Sequence, residues 1–234
     1  MSSLTRETGE TRVEVGLPDG WTPGGASRAP QIATDDEFLS HMLVTLAKYA
    51  RLPLSVRATG DLRHHLIEDV AITLGTLLGR ETPKTCVRYG DAVIPMDDAL
   101  VQVALDAGGR PHYEGSLPSD LYEHFFRSLA LNADWTLHVR VLRGTDRHHV
   151  VEAAFKALGM AIGAALADDG AVFSTKGSVS VEWSGDLDEI EELGPVPDTR
   201  LAAGDGDDHG ESAAPGRPDG PGPGARPDGD GEAA

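Results

Sequence analysis

Cysteine is almost absent from this chain of 234 residues. Cys86 stands alone, so no disulfide framework exists within the chain and stability must come from packing. Long apolar runs are missing too. The longest, residues 153–167, is interrupted by Lys156 and by glycines and is too short to span a bilayer. The start, Met-Ser-Ser-Leu-Thr-Arg-Glu, is polar and lacks an apolar signal core, so the expected location is the cytoplasm. Positive charge is scarce. Lys plus Arg total 20 against 38 for Asp plus Glu, a formal net charge of −18. Such a surface repels nucleic acid and anionic membrane, which argues against both as main partners. Lysine is much rarer than arginine and acids are spread along the chain. That pattern is expected of a salt-adapted, halophilic source, where high ionic strength screens self-repulsion.

What is present is ordinary globular material, 40% hydrophobic and 25% charged, followed by a tail. From Gly204 onward the chain is almost entirely Gly, Pro, Asp, Glu, Ala and Arg without apolar periodicity. It cannot bury enough surface to offset its ordering entropy, so residues 184–234 are expected to be a disordered acidic tail, with His209 merely solvated. The rest contains an internal repeat. His41 opens one copy and is followed by Leu54 to Thr59, then His64-His65-Leu66-Ile67-Glu68-Asp69, running on to Gly75. The second copy has His124, then Trp135 to Leu142, then His148-His149-Val150-Val151-Glu152, running on to Gly159. The spacing from the first histidine to the pair is 23 residues (64 − 41) in one copy and 24 (148 − 124) in the other.

Each copy reads as helix, alternating strand, helix. Asp35 and Asp36 before Phe38–Leu46, and Ser119-Asp120 before Leu121, are helix N-cap signals. Further strands are expected at Thr11–Val15, Cys86–Ile94 and Ala99–Asp106, with Gly108-Gly109 marking a turn. Two halves, 1–84 and 85–183, follow. Neither has much core alone; packed together, their four helices form a central layer between two sheets, an α+β architecture.

In a helix, residues three or four apart share a face, so His64 and His65 with Glu68, and His148 and His149 with Glu152, can act together. Imidazole with carboxylate suits divalent transition metals, and adjacent histidines can serve two ions. With His41 and His124, six histidines and two glutamates supply four ligands for each of two ions. That balance favours Mn²⁺, Fe²⁺ or Zn²⁺ over Ca²⁺. His112 and His138 lack this support and read as ordinary loop or strand histidines.

These residues carry a resemblance over nearly all of residues 4–183. It includes Arg6-Glu-Thr-Gly-Glu-Thr11, Phe38-Leu-Ser-His-Met-Leu43, His64-His-Leu-Ile-Glu-Asp69, Arg88-Tyr-Gly-Asp-Ala-Val-Ile-Pro-Met-Asp-Asp-Ala-Leu100, Gly109-Arg-Pro111, His124-Phe-Phe126, His148 to Leu158 and Ser174-Thr-Lys-Gly177. In this order the set resembles the imidazoleglycerol-phosphate dehydratase family of histidine biosynthesis. The resemblance implies two four-stranded sheets around the helical layer, the ribosomal-protein-S5-domain-2-like fold. It implies two manganese ions held by His41, His64, His65, Glu68, His124, His148, His149 and Glu152, with Glu68 and Glu152 counted in the catalytic centre. It also implies a phosphate pocket of Arg88, Arg110, Lys156, Ser174 and Lys176, and acid–base work for Glu10 against the substrate. Arg forks and Lys ammonium groups are the usual partners of a phosphate dianion.

The reaction implied is loss of water from imidazole glycerol phosphate, giving imidazole acetol phosphate, by a monofunctional hydro-lyase. Its partners would be a small phosphate substrate and further copies of itself, in a 24-subunit particle with shared active sites. Ser40, Arg63 and Arg147 stand where the family usually has Asp, as orienting neighbours of the ligands, and Thr45 and Tyr49 where it often has Gln and His. A two-metal hydrolase of phosphate esters remains an alternative, and so does a metal-storing or structural domain. Deleting the residues after 190 tests the tail. Activity and assembly unchanged in both high and low salt would make it dispensable; loss in one salt regime would make it a solubilising element.

Overall fold

A computed structural model of the chain describes residues 2–23 and 28–170. The proposed tail, and with it Ser174 and Lys176, lies outside the described residues. Two four-stranded sheets of one topology enclose four helices. The first sheet holds β1 (Ser2–Glu7), β2 (Thr11–Leu17), β3 (Gln31–Thr34) and β4 (Ser55–Gly60), in the order β1-β2-β4-β3. The second holds β5 (Tyr89–Met96), β6 (Ala99–Asp106), β7 (His112–Glu114) and β8 (Thr136–Arg143), in the order β5-β6-β8-β7. In each sheet only the last pair is parallel, β3 with β4 and β7 with β8. The crossover helices are α1 (Glu37–Ala50) and α3 (Asp120–Asn132). The longer helices α2 (Arg63–Glu81) and α4 (Arg147–Ala165) follow β4 and β8. None of the described helices is long and apolar enough to cross a membrane.

The local reasons are those read from the sequence, with these differences. Asp36 caps α1 by accepting from Leu39 N at 2.6 Å. Ser119 occupies the N-cap of α3, but its hydroxyl makes no cap bond. Strand β5 begins at Tyr89 rather than Cys86, because Arg88 has a left-handed φ of 76° and residues 87 and 88 bond back to Ala167 and Ala165 carbonyls. The resemblance implies four strands in each sheet, but periodicity places none of β1, β3 and β7. Strand β7 has three residues and β3 four, too few for an alternating pattern to register.

The helices pair across the duplication, α1 with α4 and α2 with α3, rather than within a half. Glycines make this possible. A Cβ on Gly75 would lie 2.5 Å from Leu129 O, and one on Gly79 2.6 Å from Ala133 O. The equivalent glycines of α4 meet α1: a Cβ on Gly159 would lie 2.7 Å from Leu46 O, and one on Gly163 3.2 Å from Ala50 O. Backbone thus touches backbone at two symmetric crossings. The Phe125, Phe126 and Phe155 rings, with centroids 5.0–6.0 Å apart, fill the layer beside the crossings, and Trp135 is fully buried. Gly75→Ala and Gly159→Ala should each lower stability by about 1–3 kcal/mol through overpacking. This holds although alanine gains roughly 1 kcal/mol of helix propensity. Thermal denaturation at fixed protein concentration checks it, and an unchanged or raised midpoint would refute the close-crossing account.

Candidate metal centre

The cross-pairing of helices decides which ligands meet. His41 and His124 are each the fifth residue of their helices, and the His-His pairs are the second and third residues of α2 and α4. Because α2 packs on α3, His64 Nε2 and His124 Nε2 converge on Glu68, at 3.6 Å from Oε2 and 3.7 Å from Oε1. One ligand atom from each of these three residues lies within 4.8 Å of the others. Because α4 packs on α1, His148 Nε2 and His41 Nε2 converge on Glu152 Oε2, at 3.2 and 3.6 Å. Each group therefore takes its upstream histidine from the opposite half of the chain.

The two groups are not identical. Glu68 spreads both oxygens over its two histidines, whereas Glu152 gives Oε1 to Lys156 Nζ at 3.0 Å. Burial works against the charged form of Glu152, but the Lys156 hydrogen bond and the two imidazoles outweigh it and hold the carboxyl below its ordinary range. Phe38 packs against His148 at a tilt of 59°, with centroids 5.2 Å apart.

His65 and His149 join neither group. Asp61 Oδ1 meets His65 Nδ1 at 2.9 Å, and Asp98 Oδ1 meets His149 Nδ1 at 2.7 Å. These hydrogen bonds raise both imidazole pKa values, His65 chiefly through Asp61 and His149 chiefly through Asp98. Glu10, in the turn between β1 and β2, is exposed and lies 3.4 Å from His65 Nδ1. Its turn is tethered from below: the buried Asp69 carboxylate takes Arg6 Nε at 2.9 Å and the Thr11 hydroxyl. That tether explains why the segments Arg6–Thr11 and His64–Asp69 occur together.

Among the described residues, Lys156 alone of the expected phosphate ligands stands near one of these groups. Arg88 N bonds Ala165 O at the far end of α4 from His148, a separation of about 25 Å for 17 helical residues. Its guanidinium makes a bidentate pair with Asp106, at 2.7 and 2.9 Å. Arg110 is at that same end, its carbonyl accepting from Thr136 Oγ1. Among the described residues, one chain therefore does not bring Arg88 and Arg110 into one site with the candidate metal ligands. The expected orienting positions also differ from the sequence reading. Arg63 Nε turns to Asp36 Oδ2 at 2.5 Å, Arg147 is exposed, and Ser40 Oγ pairs with Thr34 Oγ1 at 2.9 Å. Thr45 is buried, while Tyr49 is 43% exposed beside Gly159. The carboxylates that touch the imidazole Nδ1 atoms, Asp61 and Asp98, went unassigned from sequence. Asp98 lies in a quoted motif, but 51 residues from its histidine.

The family profile described as imidazoleglycerol-phosphate dehydratase matches residues 34–162. Proteins of that name from Methanoculleus marisnigri and Pyrococcus furiosus are 44% and 42% identical to this chain. Each alignment covers 76% of it, and 98% and 99% of those proteins. The crystal structure of the Pyrococcus furiosus enzyme in complex with (S)-C348 superposes with a TM-score of 0.66 at 38% identity, over 75% of this chain and 100% of that one. The Staphylococcus aureus enzyme gives 0.61 at 32% identity, over 72% and 99%. The two four-stranded sheets with their helices match these structures, and the chain belongs to the imidazoleglycerol-phosphate dehydratase family.

Proposed function

We propose that this chain performs its family's dehydration with two manganese ions per active site, in sites shared between copies of a homo-oligomer. The observation that carries the reading is the pair of three-donor groups, His64–Glu68–His124 and His41–Glu152–His148. Their donors suit a borderline divalent ion: two imidazole nitrogens with a carboxylate, gathered within 4.8 Å in the first group, and short of a full coordination shell in each. His65 and His149, which join neither group within one chain, supply the remaining ligand of each set in the assembly. Bound there, the ions would supply the positive charge that acidifies the substrate's imidazole ring.

The chain's own residues do the rest. Glu10, on a turn held by Asp69, is the carboxylate that takes a carbon-bound proton from the substrate. Arg88, Arg110, Lys156, Ser174 and Lys176 bind the phosphate and hold the reacting chain in register. In a protein of net charge −18 such a cationic pocket is needed to admit an anionic substrate. The separation of about 25 Å between Arg88 and the His148 group supports completion of each site by a second copy. A closed particle of 24 subunits is the assembly we infer. The acidic surface supports a cytoplasmic, salt-adapted enzyme.

Metal-stripped protein should recover formation of imidazole acetol phosphate on addition of Mn²⁺ at high ionic strength, without release of inorganic phosphate. Release of phosphate would make it a hydrolase, and bound manganese without turnover a storage domain. Glu10→Gln should lose at least about 100-fold in turnover, the usual worth of a positioned base. It should keep both metals, and unchanged turnover would remove Glu10 from the mechanism.

A further inference from the structure

The two halves hold their third histidines differently, and the difference has a pattern. The repeats are offset by 84 residues (148 − 64), so His65 corresponds to His149 and Asp61 to Thr145. In the first half Asp61, one turn before its histidine, takes His65 Nδ1 at 2.9 Å. In the second half the corresponding Thr145 cannot do this, having no carboxylate. It donates instead to a distant one: Thr145 N and Oγ1 reach Asp98 Oδ2 at 2.7 and 3.0 Å, and Asp146 N reaches the same oxygen at 3.1 Å. With Oδ2 fixed by three donors, Oδ1 is left aimed at His149 Nδ1, 2.7 Å away.

The hairpin turns of the two sheets complete the comparison. Glu10 on the β1–β2 turn and Asp98 on the β5–β6 turn both lie over the third histidine of their half. Where Asp61 occupies the imidazole, Glu10 stays at 3.4 Å without a hydrogen bond to it. Where no local aspartate exists, the turn carboxylate is itself engaged.

We propose that Asp61 and Asp98 are the positioning residues of His65 and His149, fixing each ring with its proton on Nδ1 and its Nε2 lone pair presented as a metal ligand. The inference rests on the two-metal reading of the preceding subsection. A carboxylate on the far nitrogen sets tautomer and ring orientation and raises ligand basicity. The exposed Asp97 carboxylate, 3.4 Å from His149 Nε2, adds negative charge on the side where a cation would bind. The asymmetry also assigns the turn carboxylates separate tasks, Glu10 toward substrate and Asp98 toward the ligand.

Manganese titration followed by the EPR signal of free Mn²⁺ tests this on the full-length protein, beside the denaturation midpoint of the metal-free form. Wild type should take up two ions per chain. Asp61→Ala and Asp98→Ala should each weaken about half of the sites by roughly 10–100-fold, the usual cost of losing such a partner. Asp61→Asn, whose amide oxygen still accepts the Nδ1 proton, should recover most of that loss, which a merely structural role would not predict. Glu10→Gln should bind manganese as wild type does. Should Asp98→Ala fail to assemble, the Asp61 pair decides, since among the described residues that side chain, beyond His65, bonds only backbone N–H groups of its own turn. Wild-type affinity in assembled Asp61→Ala overturns the proposal while leaving the two-metal reading intact. Absence of manganese uptake by wild type overturns both.

Discussion

Contact of helix backbones at two glycine crossings is the constraint on which the rest of this molecule depends. Gly75 and Gly79 let α2 lie directly on α3, and Gly159 and Gly163 do the same for α4 on α1. At a wider separation, His124 would not meet Glu68, nor His41 meet Glu152, at 3.6–3.7 Å. The crossings also force the halves to fold as one. Each sheet covers one side of a helical layer whose pairing partners come from the other half, so neither half has a complete core.

Carboxylates do the second tier of work. Among the described residues, Asp69, Glu152, Asp61 and Asp98 have the partners that bear on the site. Asp69 is buried and clamps Arg6 and Thr11, turning the start of the chain into a rigid carrier for Glu10. Backbone N–H groups at Thr145 and Asp146 together with His149 hold the Asp98 carboxyl far below its ordinary range. The surplus negative charge thus coexists with a few carboxylates placed as accurately as any core residue.

Much of this was legible because duplication amplifies weak signals. One His-His pair carries little weight, but two, each with Glu at the same offset and His upstream, mark out a candidate site. Helices and long strands followed from periodicity and caps, Asp36 being the clearest. Short edge strands such as β3 and β7 did not, since their pairing comes from the neighbouring strand rather than from their own pattern. The start of β5 was also hidden, because it is set by Arg88 taking a left-handed conformation and bonding the end of α4. Arg63 looked like a lost orienting group for the adjacent histidine; it proves to tie the starts of α1 and α2 together through Asp36.

By itself the sequence determined the chemistry: which residues bear imidazole or carboxylate, their spacing along each helix, and the family to which the order of motifs belongs. Those are local properties, carried by helical periodicity and residue type. Only the tertiary structure decided the partnerships. Nothing in the order of residues says that His41 joins Glu152 rather than Glu68, that Asp98 reaches 51 residues to His149, or that Arg88 ends a helix length away from the metal ligands. Such pairings depend on which helix faces pack and how closely. That is fixed by side chains that are missing, the glycines, as much as by those that are present.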